Sequence, residues 1–244
     1  MLNQIQAILL DIEGTTTPVD FVYGVLFPYA RTHIPDFLAV HGQIPAVQDD
    51  LQQLRHEYDQ EGHRDDLPNW AEKFAKDSQI EPMQALPFIK YLMDCDRKST
   101  GLKALQGKVW NRGYCDGSLK SQLFEDVPPA LECWRRSGKS IYIYSSGSIQ
   151  AQQLLFRYSE YGDLTSLLSG YFDTTTGSKK ECNSYQIIAT TIGVSPEMIL
   201  FISDSVAELE AAKQAGFNTR LSQRPGNFPQ EPGEFTEITT FSAL

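Results

Sequence analysis

The chain has 244 residues, of which 41% are hydrophobic, and a formal net charge of −10 at pH 7. Its length accommodates one large domain or a core with a smaller companion, and its acidic balance argues against non-specific nucleic-acid binding, which depends on Lys and Arg. No apolar run approaches the roughly 18 residues of a membrane span and no secretory signal pattern is present, so we expect a cytoplasmic protein without a membrane partner.

The cysteines do not indicate a metal or disulfide framework. They are widely spaced and form no C-x-x-C pair, so we interpret them as reduced thiols: Cys95, Cys115, Cys133 and Cys182. The negative charge still permits a small phosphorylated ligand, provided that a divalent cation supplies local positive charge.

The first predicted element is a buried strand from Ile5 to Ile12 that ends at a turn. From Phe21 to about Asp116 the apolar residues recur at helical spacing, which predicts a helical module. Its segments are Phe21 to His41, Val47 to Glu61, Trp70 to Ser78 and Met83 to Lys103, punctuated by Pro35, Pro45, Pro68 and Pro82.

After Ser118, predicted strands and helices alternate, and this pattern indicates a parallel sheet covered on both faces. The segments are helical Val127 to Ser137, strand Ser140 to Tyr144, helical Ile149 to Tyr158, turn-rich Gly170 to Gly177, helical Ser184 to Ile192, strand Met198 to Ile202 and helical Val206 to Ala215. We therefore predict an α/β fold, a doubly wound parallel-sheet core of residues 1–19 and 117–244 with an inserted all-helical cap of residues 20–116.

Ligands of such sheets bind beyond the carboxyl ends of the strands, so we searched there for chemistry. Asp11 and Glu13 follow the first strand in alternate positions and can address one site, although a solvated turn would use the same residues. Ser145 and Ser146 begin Ser-Ser-Gly-Ser, which suits a phosphate cradle or simply a helix cap. Lys179 precedes the next helix, where an exposed surface lysine is the alternative.

The last strand ends in Ser-Asp-Ser at Asp204, with Glu208 one helical turn further on. A helix cap would explain Asp204, and a favourable interaction with the helix dipole would explain Glu208. Each signal is weak alone, but all of them occur in a fixed order on the same edge of a predicted sheet.

That order resembles the haloacid dehalogenase (HAD) superfamily. Three stretches resemble more narrowly its acireductone-forming enolase-phosphatases of methionine salvage: Asp-Ile-Glu-Gly-Thr-Thr-Thr-Pro from Asp11, Ile-Tyr-Ile-Tyr-Ser-Ser-Gly-Ser from Ile141, and Arg-Pro-Gly-Asn from Arg224. Glu13 stands where ordinary HAD phosphatases carry a second Asp, and the enolase-phosphatases share that difference. The resemblance runs from the first strand to the C-terminal loop and includes the cap.

The resemblance implies a bifunctional enzyme with one Mg²⁺ per chain. Its substrate is a small phosphorylated diketone, 2,3-diketo-5-methylthiopentyl-1-phosphate, which it enolises and dephosphorylates to the acireductone. Asp11 is then the nucleophile, and Asp11, Glu13 and Asp204 bind the metal.

The remaining groups take supporting roles under the same resemblance. Glu13 is also catalytic, Lys179 with Ser145 and Ser146 binds the phosphoryl group, and Glu208 orients Lys179 or a metal-bound water. We expect a monomer.

The helical insert falls where HAD proteins place a lid. Phe21, Trp110 and Tyr114 are candidates to contact substrate from it, and ordinary packing between helices is the alternative for each.

Several rival functions were weighed. A Ser-His-Asp hydrolase lacks its base, because every histidine lies in the insert, and neither Gly-x-Ser-x-Gly nor a P-loop sequence occurs. The alternatives left open are a HAD phosphatase for a different small phosphate ester, a haloacid dehalogenase and a catalytically idle binding module.

Overall fold

The computed structural model describes residues 4–62, 66–70, 79–97 and 99–244. The chain forms two compact units, one made of residues up to Val25 together with Leu119–Leu244, the other of Leu26–Ser118. The predicted division into residues 1–19 with 117–244 and residues 20–116 stays a prediction. His63 and the predicted helical segment Trp70 to Ser78, apart from Trp70 itself, lie outside the described residues. Within the described ranges, no helix is long and apolar enough to cross a membrane.

A six-stranded sheet forms the centre of the first unit. Its strands are β1 (Ala7–Leu10), β2 (Ser140–Tyr144), β3 (Gly170–Phe172), β4 (Ile199–Ser203), β5 (Asn218–Ser222) and β6 (Glu237–Ile238). They lie in the order β3-β2-β1-β4-β5-β6, and every neighbouring pair is parallel. The predicted α/β class with a parallel sheet is confirmed.

Helices account for most of the remaining regular structure. In the part of the chain that the structure describes they are α1 (Val19–Phe21), α2 (Phe27–His41), α3 (Pro45–Glu61), α4 (Leu86–Asp94), α5 (Thr100–Asp116), α6 (Val127–Arg136), α7 (Ile149–Arg157), α8 (Cys182–Ile192) and α9 (Val206–Gln214). A π-helical turn at Val22–Leu26 follows α1, and short 3₁₀ turns lie at Pro82–Ala85, Thr165–Leu167, Pro196–Met198 and Phe241–Ala243.

The apolar run of β1 is buried on both faces, as expected of a central parallel strand. Successive side chains point to opposite faces, so Ile8 and Leu10 pack with α6 residues such as Leu131, while Ala7 and Leu9 belong to the core on the other face. Helices thus cover both faces of the sheet, as the alternation of strands and helices predicted.

Two local predictions within the sheet unit need correction. The segment Gly170 to Gly177, predicted to be turn-rich, begins with β3, because Tyr142 and Ile143 of β2 pair with Gly170 and Tyr171. The strands β5 and β6 were not predicted at all. The other predicted strands and helices of this unit form at nearly the expected positions.

The helical unit has its own apolar core, to which α2, α3, α4 and α5 all contribute. The predicted continuous helical segment Met83 to Lys103 is wrong, because the helix ends at Asp94 and a new helix starts at Thr100. Ser99 caps this start by accepting a hydrogen bond from the Leu102 N–H at 2.9 Å. Glu57 of α3 accepts further bonds from the first N–H groups of α5.

Pro35 was predicted to punctuate the helical segments, but it lies inside α2 and does not interrupt it. The flanking side chains Ile34 and Leu38 are buried in the helical core, and this packing outweighs the one backbone hydrogen bond that a proline cannot donate.

Candidate active site

Three strand ends meet at the carboxyl edge of the sheet. β1 lies between β2 and β4, and Leu10 is in register with Ile202. Asp11 therefore follows β1 beside the chain that leads to Asp204 after β4 and to Ser145 after β2. The sheet topology explains why residues far apart in sequence collect at one place.

Asp11 is buried and has a partner on each carboxylate oxygen. Oδ1 forms an ion pair with Lys179 Nζ, and Oδ2 accepts a hydrogen bond from Ser203 Oγ at 3.3 Å. The backbone N–H of Asp11 donates to Ile202 O at 3.0 Å, so the sheet ladder continues up to this residue. Its side chain is consequently held in one orientation.

Lys179 is buried in the loop between β3 and α8, which rules out the alternative of an exposed surface lysine. Two tyrosines fasten this loop: Tyr144 donates to Gly177 O at 3.0 Å, and Tyr185 donates to Lys179 O at 2.6 Å. Besides Asp11, the ammonium contacts Glu208 Oε2 at 2.7 Å.

The charge of Lys179 is set by these neighbours. Burial alone acts to lower the pKa of Lys179, but the negative charges of Asp11, Glu208 and Glu13 outweigh it and raise the pKa. The lysine is therefore a permanent cation at neutral pH, within reach of any anion bound beside Asp11.

Glu13 lies in a tight turn after β1. The N–H groups of Thr15, Thr16 and Thr17 all donate to Ile12 O, and Gly14 at the centre of the turn has φ +65°, a conformation that favours glycine. The Glu13 carboxylate accepts a long hydrogen bond of 3.5 Å from Ser145 Oγ. Burial, and then the nearby charge of Asp11, raise the pKa of Glu13.

Asp204 is partly buried immediately before α9, and the helix cap predicted as its alternative role is wrong, because the capping position belongs to Ser205. Among the described residues, no group donates a hydrogen bond to its carboxylate. Burial, followed by the charges of Asp11 and Glu208, raises the pKa of Asp204 to about 7. A carboxylate in this position is available to a cation.

Glu208 projects from the first turn of α9 and contacts Lys179, in agreement with the alternative that it orients this lysine. Its Oε2 also lies 2.9 Å from Ser203 Oγ, whose single hydrogen is shared between Glu208 and Asp11 and so links the two carboxylates. Burial, followed by the charge of Asp11, raises the pKa of Glu208 to about 7.

Of the two interpretations of the Ser-Ser-Gly-Ser segment after β2, the structure shows the helix cap. Ser148 caps α7 by accepting from Ala151 N–H at 3.3 Å. Ser145 is buried and faces Glu13, and its Oγ accepts from the Gly147 N–H at 3.1 Å. Ser146 is half-buried next to it. Phosphate binding by Ser145 and Ser146 stays a prediction.

The aromatic candidates for substrate contact divide between the two units. Trp110 donates from Nε1 to Leu26 O at 2.8 Å and packs against Phe27, which is ordinary packing inside the helical unit. Tyr114 is buried in α5, and Phe21 is buried in α1 of the sheet unit. Their role in substrate binding stays a prediction.

Sequence reasoning missed two side chains at this edge. Ser203 ends β4, and Asn227 donates from Nδ2 to Gly14 O at 2.9 Å. Both occur in stretches that drew attention, Ser-Asp-Ser and Arg-Pro-Gly-Asn, but only the folded chain brings them to Asp11 and to its turn.

The donor set fits a magnesium ion. The carboxylates of Asp11, Glu13, Asp204 and Glu208 surround a single buried lysine, so negative charge is in excess. Burial and repulsion from neighbouring carboxylates raise the pKa values of Glu13, Asp204 and Glu208. Within the described residues, no three His, Cys, Asp or Glu side chains already form a metal-binding cluster. Mg²⁺ does not require one, because it keeps several waters and takes one or two carboxylates together with substrate phosphate.

Known proteins share this arrangement of sequence and fold. A family model described as haloacid dehalogenase-like hydrolase matches residues 5–216. A protein of Synechococcus elongatus named enolase-phosphatase E1 is 57% identical over 240 residues, covering 98% of both chains. A protein of the same name from Pseudomonas syringae is 48% identical over 91% of this chain and 90% of its own.

A solved structure is also similar. The UTR4 protein of Saccharomyces cerevisiae superposes with a TM-score of 0.78 at 33% identity, covering 98% of this chain and 100% of that one. A dehalogenase structure at 18% identity and TM-score 0.55 shares the fold.

Proposed function

The chain belongs to the haloacid dehalogenase-like hydrolases and, among them, to the enolase-phosphatases, and we propose that it converts 2,3-diketo-5-methylthiopentyl-1-phosphate to the acireductone and phosphate in methionine salvage. The predicted family resemblance is confirmed, and the chain is a phosphohydrolase. The geometry that carries the proposal is the pair of buried ion pairs that Lys179 forms with Asp11 and Glu208. The carboxylate of Asp204, which has no hydrogen-bond donor among the described residues, lies beside them.

The cation in this proposal is one Mg²⁺ held by Asp11, Asp204 and Glu13. When bound, it supplies positive charge that offsets the charge of the phosphoryl group and of a developing enolate. The unpaired state of Asp204 and the charge excess around Lys179 support this assignment.

In the phosphatase half, Asp11 attacks phosphorus. A bond forms between its carboxylate oxygen and phosphorus while the ester P–O bond breaks, and the leaving oxygen takes a proton. Water then cleaves the aspartyl-phosphate and returns Asp11. Glu13 gives the first proton and accepts the second, because it follows Asp11 at the same strand end and Ser145 holds its carboxylate.

Lys179 stabilises the phosphoryl oxygens during both displacements. It is already desolvated and already charged, so little reorganisation accompanies the reaction. Ser145 and Ser146 supply further hydrogen bonds to the same oxygens. Glu208 keeps the ammonium in place through its ion pair of 2.7 Å with Lys179 Nζ.

In the enolase half, a carboxylate removes a proton from carbon next to a carbonyl, and the electron pair moves onto the carbonyl oxygen. Glu13 is the proposed base. Asp11 has its indispensable role at phosphorus alone, so the two halves of the reaction are separable. A role of the helical insert as a lid stays a prediction.

The direct test is incubation of the purified chain with Mg²⁺ and the diketo phosphate, with phosphate release and acireductone followed together. We expect both products in equal amounts. Phosphate release from other esters but not from this one would leave a plain HAD phosphatase, and turnover that survives a chelator would contradict the metal assignment. The cytoplasmic location and the monomeric state stay predictions.

A further inference from the structure

Asn227 is held in a defined orientation at the edge of the turn that contains Gly14. Its Nδ2 donates to Gly14 O at 2.9 Å and to Ser222 O at 3.2 Å. Both partners are carbonyl oxygens, which only accept, so the nitrogen and not the oxygen of the amide must face them. The position of Oδ1 follows from this.

The Oδ1 atom of Asn227 is buried and has no hydrogen-bond partner in the part of the chain that the structure describes. It borders the same space as the unpaired carboxylate of Asp204, because a Cβ atom placed on Gly14 would lie less than 3.0 Å from both oxygens. Both oxygens therefore approach the backbone of Gly14 closely, which is possible only because this residue has no side chain.

Asn227 Oδ1 and the Asp204 carboxylate are both hydrogen-bond acceptors, and no described group donates a hydrogen bond to either of them. This arrangement is unfavourable unless a bound species supplies hydrogen-bond donors or positive charge. A hydrated cation supplies both, since the metal binds the carboxylate and its waters donate to neighbouring acceptors. Substitution of a group that holds a metal ligand through a hydrogen bond typically lowers metal affinity about 10–100-fold.

We propose that Asn227 is a positioning residue of the cation site, whose Oδ1 accepts a hydrogen bond from a water bound to the Mg²⁺ that Asp204 holds. This inference rests on the proposed function. The opposite end of the same amide holds the Gly14 carbonyl, and thereby couples the turn after Asp11 to the hydration shell of the cation.

Ser222 offers a matched control, because its Oγ donates to the same Gly14 carbonyl at 3.0 Å. Ser222→Ala weakens the hold on the turn without removing the oxygen near Asp204. Asn227→Ala removes both the hold and that oxygen. A purely structural role for Asn227 therefore predicts similar effects of the two substitutions, whereas the proposed role predicts different ones.

Mg²⁺ binding to the substrate-free protein is measured by isothermal titration calorimetry, with melting curves to verify folding. We expect Asn227→Ala to weaken Mg²⁺ binding about tenfold, within the range of second-sphere substitutions, and Ser222→Ala to stay within about threefold of the parent, since it retains the water partner. Equal losses in both variants, or parental affinity in Asn227→Ala, would overturn the proposal.

A second variant separates the two ends of the amide. Asn227→Asp retains an oxygen near Asp204 but turns another oxygen towards two carbonyls, so we expect a lower melting temperature with Mg²⁺ affinity at least equal to the parent. Weakened Mg²⁺ binding in this variant would also overturn the proposal, and the variant decides the matter if Asn227→Ala does not fold.

Asp204→Ala distinguishes failure of this inference from failure of the proposed function. If the parent binds Mg²⁺, Asp204→Ala does not, and Asn227→Ala binds like the parent, only the role of Asn227 is wrong. If the parent gives no binding heat and no Mg²⁺-dependent rise in melting temperature, the cation site itself is wrong and Asn227 loses its role with it.

Discussion

Replacing Arg224 by Met is expected to destabilise the sheet unit strongly, although Arg224 lies outside the set of reacting groups. Its side chain is 3% exposed, and its Nη1 contacts both carboxylate oxygens of Asp126, at 3.0 and 2.9 Å. The guanidinium lies over the rings of Phe124 and Phe241, and its Nε donates to Thr15 O in the turn after Asp11.

The magnitude follows from what the substitution leaves behind. Methionine fills much of the space between the rings, but Asp126 then remains a poorly exposed charge without its cation. Breaking a buried pair in this way costs about 3–5 kcal/mol, and the 16% exposure of the Asp126 side chain favours the lower end. For about 3 kcal/mol in a chain of this size, the melting temperature falls by roughly 6–12 °C.

The assay is thermal unfolding of the single variants and of the double variant Arg224→Met with Asp126→Asn. The double variant is expected to lose less free energy of unfolding than the sum of the losses in the two single variants, because no unpaired charge remains. Arg136→Met is the matched control: its side chain is 78% exposed and its ion pair is 3.9 Å long, so we expect a change below about 0.5 kcal/mol. An Arg224→Met variant that melts within 2 °C of the parent would refute the reasoning.

The same pair gives a pH dependence. Burial acts to raise the pKa of Asp126, but hydrogen bonds from the Phe241 N–H and from Arg224 outweigh it and lower the pKa below the ordinary 3.8. A lowered pKa in the folded state means that the stabilisation is complete above the unfolded value and is lost as the pH falls through the folded value. Melting temperatures should therefore converge for the parent and Asp126→Asn below about pH 3.8.

The remaining predictions concern the active site. Asp11→Asn should release no phosphate yet still exchange the acidic C–H of the diketo phosphate for deuterium, whereas Glu13→Gln should impair both steps. NMR in deuterated buffer measures the exchange. Absence of exchange in Asp11→Asn with substrate still bound would contradict separable steps. Asp204→Ala should lose activity that excess Mg²⁺ partly restores, whereas the activity of Lys179→Ala should not respond to Mg²⁺. Superimposable Mg²⁺ titrations of the parent and Asp204→Ala would contradict the role of Asp204 as a metal ligand. Gly14→Ala should weaken Mg²⁺ binding measured by calorimetry, because its Cβ would collide with an Asp204 carboxylate oxygen at a positive φ, and unchanged affinity would show that the turn adapts.

The sequence allowed prediction wherever one local pattern decides the structure. β2 has the predicted bounds, because Ile-Tyr-Ile-Tyr is apolar and rich in strand-forming residues. β5 was missed because Asn-Thr-Arg-Leu-Ser carries no such pattern, and it becomes a strand by pairing with β4 and β6 on either side. Tertiary pairing, which no local pattern records, overrides propensity there.

The site divides in the same way. Asp11, Lys179 and Glu208 could be proposed from their order along the chain, and the structure brings them into contact. Ser203 and Asn227 could not be given roles, because their partners are far away in sequence: 192 positions separate Ser203 from Asp11, and 213 separate Asn227 from Gly14. Common residue types acquire a special role only through such distant neighbours.

The position of β1 at the middle of the sheet has a consequence during protein synthesis. β1 is made first, but its partners β2 and β4 begin at Ser140 and Ile199. At about 5–20 residues per second, the apolar strand that precedes Asp11 stays without its second neighbour for roughly 10–40 s after it leaves the ribosome. The helical unit, encoded between β1 and β2 and possessing its own core, has time to fold within that interval. A nascent chain stalled before Ile199 should therefore contain a folded helical unit and a β1 that has β2 but not β4 as a neighbour, and a ribosome-bound chaperone would be expected to cover its open edge.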